Sequence, residues 1–421
     1  MTQPPGLRRA MGGFDATTVG VGAMIGAGAF VVFSPASAAA GLLLPLAVVL
    51  AGFVAYCNAA ATASLAVRYP SSGGTYLYGR KQLGPWPGFL AGWGFVTGKL
   101  ASCAAMALTF GLYAAPGAEK AAAVAAVVGL TAVNLLGVTR TALATRVIVS
   151  LVVPVLAFVV VVAFTAPAAP STAGSGGTGG VVGVLQAAAL LFFAFAGYAR
   201  IATMGEEVRN PRRNIPRAIF GALGFTLVVY LLLALSLLNA LGPEALAASS
   251  APLRDVVDAG TPPGGATGVL DTVVVGAAAL ASLGALLALI AGVGRTSLAM
   301  ARNRDLPSAL SSISTRFAVP WVADLATAAV VVLLLLATDV LTVVGFSSFG
   351  VLVYYAIANV AAFTLTDRQW YAPRWLNVVG AVACLVLAFT LPAVSVVTML
   401  AVLAAGVVVR GAVLVRRRRA A

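Results

Sequence analysis

Apolar runs of roughly 20 residues, long enough to cross a bilayer, alternate with short polar stretches along almost the whole chain. In order they predict twelve helices, at 16–38, 44–66, 85–114, 121–138, 147–166, 181–204, 217–241, 271–300, 321–338, 341–364, 375–391 and 394–413. That is the pattern of an all-α polytopic membrane protein. One run departs from it. Residues 19–33, VGVGAMIGAGAFVVF, are apolar yet hold Gly20, Gly22, Gly26 and Gly28. Glycine costs roughly 1 kcal/mol relative to alanine at a helix-interior position, so the first helix is expected to open here. Backbone opened at membrane depth survives only where protein or a polar cavity satisfies it. The NH groups facing the break would suit a carboxylate. Close helix packing is the other reading, because Gly22 and Gly26 form a GxxxG pair.

The second landmark is residues 190–219, LLFFAFAGYARIATMGEEVRNPRRNIPRAI. Phe192, Phe193, Phe195 and Tyr198 crowd around Gly197, Arg200 follows inside the apolar run, and the segment leaves the membrane at Glu206 and Glu207. Gly26 and Gly197 fall in the first and sixth helices, matching members of two five-helix halves. Glycine-interrupted segments so placed point to the site of an inverted-repeat transporter. Five is odd, so the second half is expected upside down. The expected organisation is an N-terminus at 1–15, a first repeat at 16–166, an uncharged outer linker at 167–180, a second repeat at 181–364, helices eleven and twelve within 365–413, and a basic tail at 414–421.

Lys99 lies fourteen residues past Pro85 in the third helix, near mid-membrane. A lysine there costs on the order of 3 kcal/mol and is a functional candidate, with snorkelling to an interface as its structural alternative. It is a candidate to couple transport to protons or to stabilise an empty site. Arg200 stays charged and is read as a fixed cation, paired with carbonyls or with Glu206. The 242–271 stretch, with Glu244, Asp255, Asp258 and Asp271, reads as solvated outer surface, with a cover over the outer vestibule as the alternative. Gly292 and Gly294 before Arg295 lack phosphate-loop spacing.

Composition narrows the function classes. Of 421 residues 61% are hydrophobic and 9% charged, and mean hydropathy is +1.02; no soluble domain has that balance. The chain has no histidine, which excludes histidine-based catalysis, metal binding and proton relay, and Cys57, Cys103 and Cys384 lack disulfide or zinc spacing. The N-terminus is too polar for a signal peptide. A net charge of +14 would suggest nucleic acid in a soluble protein, but here the charge is a topology signal. Loops after odd-numbered helices carry only Lys120 and Arg254, whereas the termini, the other loops and the helix ends beside them hold the remaining basic residues apart from Lys99, Arg200 and Arg295 inside the apolar runs. The positive-inside rule then puts both termini in the cytoplasm. Membrane lipid, not nucleic acid, is the expected partner, with Arg416 to Arg419 as an anchor to anionic headgroups.

These motifs resemble the amino acid–polyamine–organocation (APC) superfamily of amino-acid permeases. GAMIGAGAF at 22–30 resembles its opened first helix, and YPSSGGTYLYGRKQLGPWPGFLAGW at 69–93 its first cytoplasmic loop. Residues 192–219 resemble its sixth helix and following loop, and GRTSLAMARNRDLP at 294–307 the end of its eighth. The resemblance implies a LeuT-like 5+5 inverted-repeat core with discontinuous helices one and six, plus two extra C-terminal helices. It implies a substrate carboxylate on the NH groups of Gly26, Ala27 and Gly28. The ammonium would meet carbonyls around Phe193, Ala194, Ala196 and Gly197, with Ile25 contributing. Phe193 or Phe195 would be an aromatic lid, and Tyr198 a gating candidate. Three positions depart from the family: Ala199 where members handling basic substrates carry an acid, Val152 where proton-coupled relatives carry a lysine, and Asn303 where the family has an acid.

The expected function is a secondary active permease in the plasma membrane, moving neutral amino acids by alternating access with protons, or else sodium, as coupling ion and with no cofactor. An exchanger of the same fold is the alternative, and a membrane enzyme or receptor built on the fold is a third reading. Intramembrane cations without an intramembrane acid argue against polyamines and dibasic amino acids.

Overall fold

The computed structural model describes residues 11–70, 73–136, 141–169, 180–204, 208–260, 267–317 and 319–420. Apolar runs in lipid must satisfy their backbone internally, and helix follows helix accordingly. The first run is cut into α1 (Gly13–Met24), α2 (Ala27–Val31) and α3 (Phe33–Ala40). Then come α4 (Leu44–Arg68), α5 (Gly74–Gln82), α6 (Pro85–Ala114), α7 (Glu119–Leu135), α8 (Thr141–Thr165), α9 (Gly180–Phe195) and α10 (Ala199–Thr203). The rest is α11 (Pro211–Ala248), α12 (Pro252–Gly260), α13 (Thr267–Arg302), α14 (Trp321–Ala337), α15 (Val340–Phe363), α16 (Arg374–Thr390) and α17 (Ala393–Ala420). Among the described residues nine helical stretches are long and apolar enough to cross a membrane, and α14 and α16 are apolar but shorter. The chain is a multi-pass membrane protein. Its large exposed apolar side chains, such as Leu333 on α14, Phe389 on α16 and Val408 on α17, have the bilayer as their solvent.

Helix α6 is central and packs on α13, α15, α5 and α7. Its seam with α15 runs over glycine: a Cβ on Gly98 would stand 3.1 Å from the Ser347 carbonyl oxygen, and one on Gly350 2.6 Å from that of Gly94. Small residues let membrane helices approach this closely. Helix α1 lies against α8 and α11, and α2 against α6, α9 and α13. The three cysteines are free and buried.

The structure refines the sequence expectation at four places. The sixth segment is not an open break: a 3-10 turn at Ala196–Tyr198 joins α9 to α10, and its flanking residues keep right-handed helical angles. A 3-10 turn tightens the ladder without abandoning it. The loop after α4 contains α5, and the 242–271 stretch contains α12, whose Leu253, Val256 and Val257 are fully buried, so α12 packs down rather than floating in solvent. The expected basic tail continues α17 to Ala420. Most of the 167–180 linker lies outside the described residues.

Candidate functional site

The break in the first run is local and sharp. Ile25 (φ −79°, ψ 64°) and Gly26 (φ −111°, ψ −138°) leave the helix, and α2 restarts at Ala27. The Ile25 NH donates to Val21 (2.7 Å) and the Gly26 NH folds back onto the Met24 carbonyl (2.8 Å). That carbonyl also accepts from the Tyr230 hydroxyl of α11 at 2.7 Å, and the same hydroxyl lies 3.4 Å from the Ala194 carbonyl of α9. One buried tyrosine therefore bridges the two segments, satisfying backbone that lipid could not. Tyr355 of α15 stands 3.5 Å from the Ala196 carbonyl, and Tyr113 of α6 donates to the Phe30 carbonyl (3.0 Å).

Two glycines hold these segments together. A Cβ on Gly197 would press on the Ala23 carbonyl and come within 2.6 Å of the Met24 nitrogen. A Cβ on Gly28 would collide with Ala194, 2.7 Å from its Cα. Both are backbone approaches that only glycine permits.

Below the break lies a cavity of about 570 Å³. Its walls are Gly22 and Ala23 of α1, Phe95, Lys99, Ser102 and Met106 of α6, Phe193, Ala196, Gly197, Ala199 and Arg200, and Ala281, Ala285, Ala288 and Gly292 of α13. It extends to Gly73, Arg302 and Pro320 at the α5 end. The opposite end is plugged: α12 packs on α2, α8, α11 and α13, and Ser37 donates to the Pro243 carbonyl at 3.0 Å. Ser102 shares a 2.6 Å hydrogen bond with Ser347.

The residues singled out from sequence separate into groups. Phe193, Ala196, Gly197, Lys99 and Arg200 line the cavity. Gly26 is not among the lining residues; it packs close to two that are, since a Cβ there would stand 3.0 Å from Ala285 and 3.1 Å from the Met106 sulfur. Ile25 is buried at 2% exposure and is not among the lining residues. Ala194 is taken up with Gly28, and Phe195 packs edge-on against Tyr230 with centroids 5.1 Å apart. Tyr198 is buried beside Tyr355 (5.3 Å). Only the backbone of Ala27 is described, and Glu206 lies outside the described residues.

Sequence reasoning missed three groups. Tyr230 was a lone tyrosine in an apolar run, and nothing in its spacing marks it. Asp324, in the first turn of α14, is fully buried; it accepts from Asn134 (3.0 Å) and presses on Gly294, a buried acid that the sequence reading did not count. Asp305, just past α13, gathers Tyr76 (2.8 Å), Arg80 (2.6 Å) and Arg410 (2.8 Å). Arg410 also donates to the Pro85 carbonyl and lies over Trp86 (4.5 Å) and Phe89 (4.6 Å). This cluster locks α5, α6, α13 and α17 at the open end of the cavity. Burial, then Asp305, raises the Tyr76 hydroxyl above its ordinary range.

Broken helix, tyrosine-bridged carbonyls and a chamber closed at one end define a class: membrane carriers that enclose a small solute. The sequence names the family within that class. Residues 11–412 match the amino acid permease family model, and the chain belongs to that family. It is 53% identical to an uncharacterized transporter of Mycobacterium tuberculosis, over 99% of this chain and 94% of the relative. It is 26% identical to the branched-chain amino acid permease BcaP of Bacillus subtilis, over 94% of this chain and 86% of the relative. The serine/threonine exchanger SteT of the same organism is 25% identical, over 87% and 85%. The family and these relatives are transporters, not enzymes.

Proposed function

We propose that the chain is a secondary carrier that moves neutral amino acids across the plasma membrane by alternating access, with protons as coupling ion. The observation that supports this best is the helix break at Ile25 and Gly26 beside a chamber walled by Gly22, Ala23, Met106 and Ala285. In this reading the substrate carboxylate meets the NH groups of Ala27 and Gly28 at the positive end of α2. The Gly26 NH is engaged with Met24, so it joins only if that bond opens. The ammonium meets the carbonyls of Phe193, Ala194 and Ala196; each carbonyl has a second lone pair beside any tyrosine bond. Phe193 covers the bound molecule. Lys99 takes part in coupling or stabilises the empty site, while Arg200 stays a fixed cation and Tyr198 belongs to the gate. The 5+5 inverted repeat, with both termini cytoplasmic and basic loops inside, is the topology that goes with it.

Purified protein in proteoliposomes, offered the twenty amino acids with and without a pH gradient, tests the proposal. Accumulation of neutral amino acids driven by an inward proton gradient is expected. Uptake that needs only a preloaded amino acid, indifferent to the gradient, would replace symport with exchange, the reading that the similarity to SteT favours. No movement of any amino acid would end the carrier reading.

A further inference from the structure

The cavity wall is rich in basic side chains. Among the described residues Lys99, Arg200, Arg295 and Arg302 line it, and no aspartate or glutamate does. Lys99 is the deepest of the four and only 7% exposed. No described carboxylate forms an ion pair with it. The nearby buried acids are engaged by other groups, Asp324 being close enough to Arg295 to feel its charge. Asp324 is turned onto Asn134 and Gly294, a residue of α13 that does not line the cavity. Both oxygens of Asp305 are taken by Tyr76, Arg80 and Arg410.

A buried cation without a partner is costly, and structures retain one where something else supplies the charge. Here the open side is the chamber itself. Lys99, Ser102 and Met106 follow one another at three- and four-residue spacing on one face of α6. Met106, itself on the cavity wall, packs against Gly26. Lys99 is thus two turns from the break, about 10 Å along the axis, a gap that an extended lysine and an acidic side chain can share.

Resting on the carrier reading above, we propose that Lys99 forms a second subsite, for a side-chain carboxylate, which extends the substrate range from neutral to acidic amino acids. The helix break holds the α-carboxylate and Lys99 the distal one, with the arginines nearer the mouth drawing the anion in.

The isosteric pair L-glutamate and L-glutamine tests this, with binding to the full-length purified protein measured by calorimetry at neutral pH. Glutamate should bind about tenfold or more tighter than glutamine, as expected for one desolvated charge-assisted contact. Lys99→Met and Lys99→Gln should erase that ratio, and Lys99→Arg should keep it. In wild type alone, raising the salt should weaken glutamate more than glutamine, a readout that survives if the variants do not fold. Glutamine equal to or better than glutamate, or a ratio indifferent to Lys99→Met, overturns the subsite while leaving a neutral amino-acid carrier intact. Failure of all twenty amino acids to bind overturns both.

Discussion

Replacing Gly197 by alanine would add one methyl group where the 3-10 turn meets α1. The added Cβ would meet the backbone of Ala23 and Met24 rather than a movable side chain. Overpacking costs typically about 1–3 kcal/mol, and a backbone neighbour puts the cost at the upper part of that range. Alanine returns up to about 1 kcal/mol of helix propensity, so the net loss should be about 1–2 kcal/mol. If α1 yields instead, the strain moves to the break at Ile25 and Gly26. The same 1–2 kcal/mol then appears as a roughly 5- to 30-fold weaker affinity for amino acid. The matched control is Gly224→Ala in α11, where an added Cβ has nothing within 4 Å and alanine should be neutral or stabilising. Thermal midpoints in detergent, with and without a saturating amino acid, read both effects. Equal stability and equal affinity in the two variants would refute the close approach of Gly197 to α1.

Gly28→Ala should destabilise the fold by a similar amount through Ala194, and adding Ala194→Gly should recover most of the loss; a double variant no better than the single would exclude that contact. Phe193→Ala should weaken amino-acid binding by about 1–3 kcal/mol with little change in the apo midpoint. Phe195→Ala, against Tyr230, should lower the midpoint instead, and a reversed pattern in binding and melting assays would exchange their roles. Asp305→Ala strands Arg80 and Arg410 and should cost about 3–5 kcal/mol, seen as loss of monodisperse protein, whereas Asp305→Glu should keep part of it.

How far these features could be read in advance depended on whether their cause was local. The third helix was expected at 85–114 and is found there, because Gly84 (φ 102°) and Pro85 start it and Ala115 breaks it. The opening at Gly26 was legible because glycine acts on its own backbone. Gly197 looked like the same signal but serves a tertiary contact with Ala23, so the sixth segment tightens rather than opens. Tyr230, Asp305 and Asp324 were illegible for one reason. Each owes its role to partners far away in sequence, such as Met24 for Tyr230 and Arg410 for Asp305. Lys99 was conspicuous as a charge in an apolar run, and the assembled helices add that, among the described residues, no acid lines the cavity it faces.

The burial of Cys57, Cys103 and Cys384 makes the folded protein nearly silent to thiol reagents. Alkylation needs an exposed thiolate, and none of the three offers one. A single cysteine in place of Ala288, on the cavity wall, or Ser250, beside α12, would be the only reactive sulfur without any prior removal of native ones. The ratio of labelling rates at the two positions then reads directly which mouth of the protein water reaches, and how a solute or a proton gradient moves that balance.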